Sequence, residues 1–100
     1  MSNFAEALQQ HRRLAILRHL ENCPEYTCNI SILTDVLYSL GIPSTRDQTI
    51  TDVMWLNENS FVTATDHGAG FFVVVATGRG IEIAKNRATH PGIQRPSAGF

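Results

Sequence analysis

The chain has no excess of positive charge. Eight Lys and Arg stand against nine Asp and Glu, for a formal net charge of -1. Dedicated nucleic-acid binders usually carry a clear positive surplus, so strong sequence-independent DNA affinity is not expected, while a local basic patch stays open. No apolar run approaches the roughly 20 residues of a transmembrane helix, and the N-terminus lacks an apolar signal core. A cytoplasmic, soluble chain with no membrane partner is the expectation. Cysteine is scarce: Cys23 and Cys28 complete no zinc pattern and have no second pair. Reduced, buried or idle thiols are expected.

Chemistry-bearing motifs are missing too. The chain has no P-loop, no dinucleotide glycine pattern and no nucleophile elbow. Gly78-Arg79-Gly80 is too short for a phosphate loop, and the acids form no evident catalytic pair. His11, His19, His67 and His90 are read as sharing no short ligand spacing with one another, with an acid or with a cysteine. No enzymatic activity, no cofactor and no metal site are expected.

What is present is enough for one core, since 43% of the 100 residues are apolar. Residues 4–21 read as a first helix, rich in good helix formers and ended by Pro24. Phe4, Leu8, Leu14, Ile16, Leu17 and Leu20 supply its apolar side, and Arg12, Arg13 and Arg18 make it basic. Tyr26-Thr27-Cys28 can form a very short strand. Asn29 to Leu40 reads as a second helix, capped by Asn29 or Ser31, with Ile32, Leu33, Val36, Leu37 and Leu40 as its buried face. Gly41 and Pro43 end it. A third helix starts at Ser44 or Thr45, where Ser44 with Asp47 or Thr45 with Gln48 has capping-box spacing. Ile50, Val53, Met54 and Leu56 can face the first two helices, with Trp55 flanking that stripe.

Phe61 to Thr65 and Phe71 to Ala76 read as strands, joined by the Asp66-His67-Gly68-Ala69-Gly70 turn. Thr77 can cap a fourth helix containing Ile81, Ile83 and Ala84 and ending near Arg87. The order is that of an α+β, mainly α winged helix-turn-helix: three helices, a two-stranded wing and a C-terminal helix. Residues 1–88 form that domain, and 89–100 an extended tail, disordered or laid along a partner.

In a helix-turn-helix the start of the second motif helix meets base edges. Here that start is Ser44, Thr45, Arg46, Asp47, Gln48, Thr49 and Thr51. Arg46 suits guanine, Gln48 suits adenine and the hydroxyls suit bases or phosphates. The bland alternative is that Ser44 and Thr45 only cap the helix and the rest are solvated. Charge weighs against readout, because residues 44–60 hold one arginine against Asp47, Asp52 and Glu58. Arg12 and Arg13 are the candidates for compensating phosphate contacts; a solvated face is their plainer reading.

The order of elements resembles the winged-helix superfamily, including regulators of the ArsR and MarR kind. More closely, residues 17–27 (Leu17 through Thr27), Ser44-Thr45-Arg46-Asp47-Gln48 and residues 88–96 (Ala88 through Pro96) resemble a family of small proteins of Mu-like phages and prophages. The resemblance spans nearly the whole chain. It implies a double-stranded DNA-binding transcription regulator, with a protein-interaction adaptor for a phage or host protein as the alternative. Resemblance to many winged helices implies a homodimer through the first and fourth helices, with Phe4, Leu8 and Ile83 as contacts. The metal-sensing cysteine pattern of ArsR sensors is absent, because both cysteines precede the second helix.

Overall fold

The computed structural model describes residues 3–96. Helix α1 spans Phe4–Glu21 and begins where the Asn3 side chain accepts the Glu6 amide. A one-turn 3-10 helix at Pro24–Tyr26 leads into strand β1, Thr27–Asn29. Asn29 then caps α2, Ile30–Ser39, by accepting the Ile32 amide. Helix α3 covers Arg46–Glu58. The Thr45 hydroxyl accepts the Gln48 amide at 3.1 Å while the Gln48 side chain accepts the Thr45 amide at 2.9 Å, a complete capping box. Strands β2 (Val62–Asp66) and β3 (Phe72–Ala76) form the wing, and Thr77 caps α4, Gly78–Ala84.

The short strand expected near Tyr26 to Cys28 forms, one residue later. It makes the sheet three-stranded and antiparallel in the order β1-β3-β2. Cys28 lies opposite Val74, and Ala64 lies opposite Val74 from the other side. The central strand β3 therefore has both edges paired, which supports a hairpin too small to stand alone. The core lies between this sheet and the helices: Leu14, Leu17 and Leu20 from α1, Leu33 and Leu37 from α2, Val53 and Leu56 from α3, Phe61 before β2, and Ile81 and Ile83 from α4. Full burial of each large aliphatic contributes roughly 1.5–3 kcal/mol relative to exposure.

Helix α2 departs from its expected face. Leu33 and Leu37 are buried, but Ile32 is 48% and Leu40 57% exposed. A ten-residue helix against α1 and α3 can bury only a narrow stripe, so its flanking apolar residues stay outside. Gly80 is demanded by close packing. A Cβ there would stand 2.1 Å from the Phe61 carbonyl oxygen, where α4 meets the start of the wing.

The segment read as a tail turns back onto its own chain. Ile93 is buried in the core cluster, and its neighbour Gln94 donates its amide to the Gln10 carbonyl of α1. His90 stacks edge-on to Trp55 and Phe61, with ring centroids 5.2 and 5.5 Å away. Gly92 lies so close to the indole that an added Cβ would meet Trp55 Cζ2 at 2.5 Å. Trp55 is thus a packing residue, and residues 90–94 pack on the body of their own chain. Residues 97–100 of the expected tail lie outside the described residues.

Candidate nucleic-acid interface

The start of α3 is at the surface. Thr45, Arg46, Asp47, Gln48 and Thr51 are exposed. Arg46 is the cation of this edge: its guanidinium donates to the Ser31 hydroxyl at 3.1 Å and to the Gly70 carbonyl at 3.0 Å. One side chain thereby joins the first turn of α2, the first turn of α3 and the base of the wing turn. These bonds are exposed, so water and an incoming phosphate or base can compete for the same donors.

The other residues expected at the interface divide. Thr45 and Gln48 are exposed but bonded to each other across the helix cap. Ser44 is half-buried, with its hydroxyl donating to the Ile42 carbonyl and accepting from Arg12 Nε. Thr49 is fully buried; its hydroxyl donates to the Thr45 carbonyl and shares a hydrogen bond with Thr34. Thr49 therefore faces the α2–α3 seam and not the outside of the helix.

Arg12 and Arg13 require a correction. Neither lies on a solvated face or projects toward phosphates. They are 5% and 8% exposed, and both grip Asp52, which is 0% exposed. Arg12 Nη1 meets Asp52 Oδ2 at 2.8 Å, and Arg13 Nε meets Oδ1 at 3.0 Å. A further donor of each is also used, Arg12 Nε on Ser44 and Arg13 Nη1 on the Gly92 carbonyl at 2.9 Å. Arg13 also lies over the Trp55 ring at 3.9 Å. The physical reason is that a carboxylate on the inner side of α3 cannot be buried unpaired. Two adjacent arginines of the facing helix neutralise it and stitch α1, α3 and residues 90–94 together. No buried side-chain polar atom among the described residues lacks a partner.

This triad changes the electrostatics of the edge in both directions. Asp52 is removed from the acids that would confront a duplex, but two of the basic groups that would attract one go with it. The eight Lys and Arg against nine Asp and Glu become six against eight once Arg12, Arg13 and Asp52 are set aside. Beyond Arg46, a cleft of about 390 Å³ separates the start of α3 from the start of α1. Glu6 and Asp47 stand on its walls with Gln9, Gln48 and Thr51, so that side of α3 is acidic. Asp47 is favourable at a helix N-terminus, where it complements the dipole. The other basic residues lie away from this edge or carry acidic neighbours: Lys85 approaches Glu21 at 3.8 Å and Arg87 approaches Glu82 at 3.4 Å. Arg79 donates to the Asn59 carbonyl at the end of α3. At the wing tip, Asp66 accepts the Gly68 amide and His67 packs against Phe71.

The expected dimer contacts are also divided. Phe4 is 82% exposed and Leu8 is half-buried, whereas Ile83 is 3% exposed and belongs to the chain's own core. Leu8 instead lines an open groove between α1 and α2 together with Val36, Leu40 and Ile42.

The reading of the cysteines by spacing missed a convergence. His19, at the end of α1, meets Cys23 and Cys28 through the fold, and the three ligating atoms lie within 4.8 Å of one another. Both cysteines are free thiols. Burial pushes the Cys28 thiol above its ordinary value, the charge of neighbouring Cys23 adds to this, and a hydrogen bond from the Asn29 backbone opposes it. The signal was available as a histidine four residues before one cysteine and nine before the other, on opposite sides of a tight turn.

Among the described residues, four α-helices with a three-stranded antiparallel sheet, a short link between α2 and α3, and a hairpin beside α3 define a winged helix-turn-helix. Among known proteins the chain is 40% identical over 91 residues to the uncharacterized protein gp26 of Escherichia phage Mu, a match covering 91% of this chain and 93% of that protein. The chain belongs to the family of that Mu protein. No family model and no solved structure matches it. No helix among the described residues is long and apolar enough to cross a membrane.

Proposed function

We propose that this protein binds double-stranded DNA as a transcription regulator of a phage or prophage. The observation that carries the reading is Arg46. It is exposed at the start of α3 and bonded to the wing base, so the N-terminal turn of α3 and the wing form one continuous edge. A helix of this kind suits a major groove, with α3 inserted and the wing against the flanking backbone. Arg46 reads guanine or holds phosphate, and Thr51 and Gln48 are the neutral groups beside it. Arg12 and Arg13 take no part. Binding resting on so few cations has a shallow salt dependence and relies on two copies acting together. Phe4 and Leu8 on α1 are the proposed contacts between the copies.

The test is retention of fragments of the encoding genome across a salt series. Sequence-selective binding is expected, with Arg46→Ala weakening it and lowering the salt slope by about one unit. Absence of selective binding at low salt removes this reading.

A second reading is favoured by the outer surface of α2. Tyr38 is 73% exposed, with Leu40 at 57% and Ile32 at 48%. Such apolar side chains on a helix next to an open groove suit a protein partner better than a phosphate backbone. In this reading the domain is an adaptor that does not bind DNA, and Tyr38→Ala with Leu40→Ala abolishes partner binding.

A further inference from the structure

The convergence of His19, Cys23 and Cys28 is built by three separate stretches of backbone. His19 belongs to the last turn of α1, Cys23 follows that helix, and Cys28 is the central residue of β1. Between the cysteines the chain turns back on itself. Glu25 and Tyr26 take positive φ values of 54° and 56°, and the Tyr26 amide donates to the Cys23 carbonyl at 3.0 Å. Cys28 is held opposite Val74 in the sheet, while His19 and Cys23 are half-buried. The set opens on a shallow cavity of about 430 Å³ floored by Ile32 and Val73, and no carboxylate lines it.

One imidazole nitrogen and two sulfurs without carboxylate form a donor set suited to thiophilic ions and poorly suited to magnesium or calcium. In a tetrahedral zinc site, bonds of about 2.3 Å to sulfur and about 2.0–2.1 Å to nitrogen put these donors roughly 3.5–3.8 Å apart. The 4.8 Å spread closes to that range by a shift of about 1 Å in the two half-buried side chains.

We propose that His19, Cys23 and Cys28 together bind one zinc ion per chain, with the fourth position open to the cavity and taken by water. Zinc binding replaces the thiol protons of both cysteines, which pass to solvent, and uses the neutral imidazole. The ion ties the last turn of α1 to β1, and through β1 to the wing sheet. The site lies outside the edge formed by Arg46 and does not depend on DNA binding.

The experiment titrates the whole reduced chain with Zn²⁺ against a chromophoric chelator, and with Co²⁺ followed by absorption. One ion per chain is expected, with a thiolate-to-cobalt charge-transfer band and a rise in Tm in excess zinc. Cys23→Ser and His19→Ala, both at half-buried positions, are each expected to weaken zinc binding by more than the roughly 100-fold lost when only a group supporting a ligand is removed. Unchanged affinity in either variant overturns the site, as does the absence of stoichiometric binding. If a variant is unfolded by circular dichroism, the cobalt spectrum of the unaltered chain decides: a tetrahedral dithiolate spectrum supports the site and a hexa-aquo spectrum overturns it.

Discussion

Helix α3 carries charge on both sides, and the two sides are built in opposite ways. On the inner side, Asp52 is fully buried and held by Arg12 and Arg13, with every partner fixed. On the outer side, Arg46 is exposed and makes two bonds that water can replace. Arginines of the same chemistry thus serve as rivets in one place and as a presented group in the other. Burial decides which. A buried pair loses several kcal/mol per ion in desolvation and must keep its partner, whereas an exposed group gains little from any one contact and can exchange it.

The largest expected effect comes from breaking the inner side. Asp52→Ala leaves two buried guanidiniums uncompensated and should destabilise the domain by about 3–5 kcal/mol. In a chain of this size, each kcal/mol lowers Tm by roughly 4–8 °C, so thermal denaturation should show either a large drop or no folded baseline. A variant within a degree or two of the parent would mean that the triad is not a structural rivet.

Gly92→Ala probes the outer end of the same network, where residues 90–94 cover Trp55. The new methyl must displace the indole or the segment, at about 1–3 kcal/mol. Urea denaturation should show a lower midpoint, and Trp55 fluorescence in the folded state should shift to the red as the ring gains water.

His90→Ala removes the edge-on contacts with Trp55 and Phe61 and the bond that the Gly92 amide donates to His90 Nδ1, but creates no clash, so a loss of about 1–2 kcal/mol is expected. The ordering of these two variants tests whether backbone approach or ring stacking holds the segment. A loss for His90→Ala exceeding that for Gly92→Ala would reverse it.

Arg46→Ala should have the smallest effect on folding, about 0–1 kcal/mol, because both bonds are solvent-exposed. Its effect on DNA retention should be far larger than its effect on Tm. A variant that loses stability and binding in proportion would place Arg46 with the rivets and dissolve the contrast between the two sides.

Much of the fold was legible because its signals are local. Helix α1 occupies the range read from composition and Pro24, Asn29 caps α2, and Thr45 with Gln48 closes the box expected at a spacing of three residues. The glycine turn between two β-rich runs became the wing. The site was less legible. Thr49 follows the same polar run as Gln48 yet points inward, because the helix turns by about 100° per residue and the seam with α2 lies on that side. Arg12 and Arg13 looked like surface charge, since their partner is about forty positions away. The triad of half-buried His19 and Cys23 with buried Cys28 was hidden by irregular spacing across a turn that two non-glycine residues make at positive φ.

By itself the sequence determined where the helices begin, which runs become strands, and the order that makes a winged helix-turn-helix; the end of α4 came out at Ala84, short of the Arg87 expected. These follow from caps, periodicity and turn residues acting over three or four positions. Only the tertiary structure decided which arginines are buried, which helix face is offered outward, and that residues 90–94 return to cover Trp55. Those outcomes depend on desolvation and on partners brought together from distant parts of the chain, and no local pattern encodes the match between a carboxylate on α3 and two guanidiniums on α1.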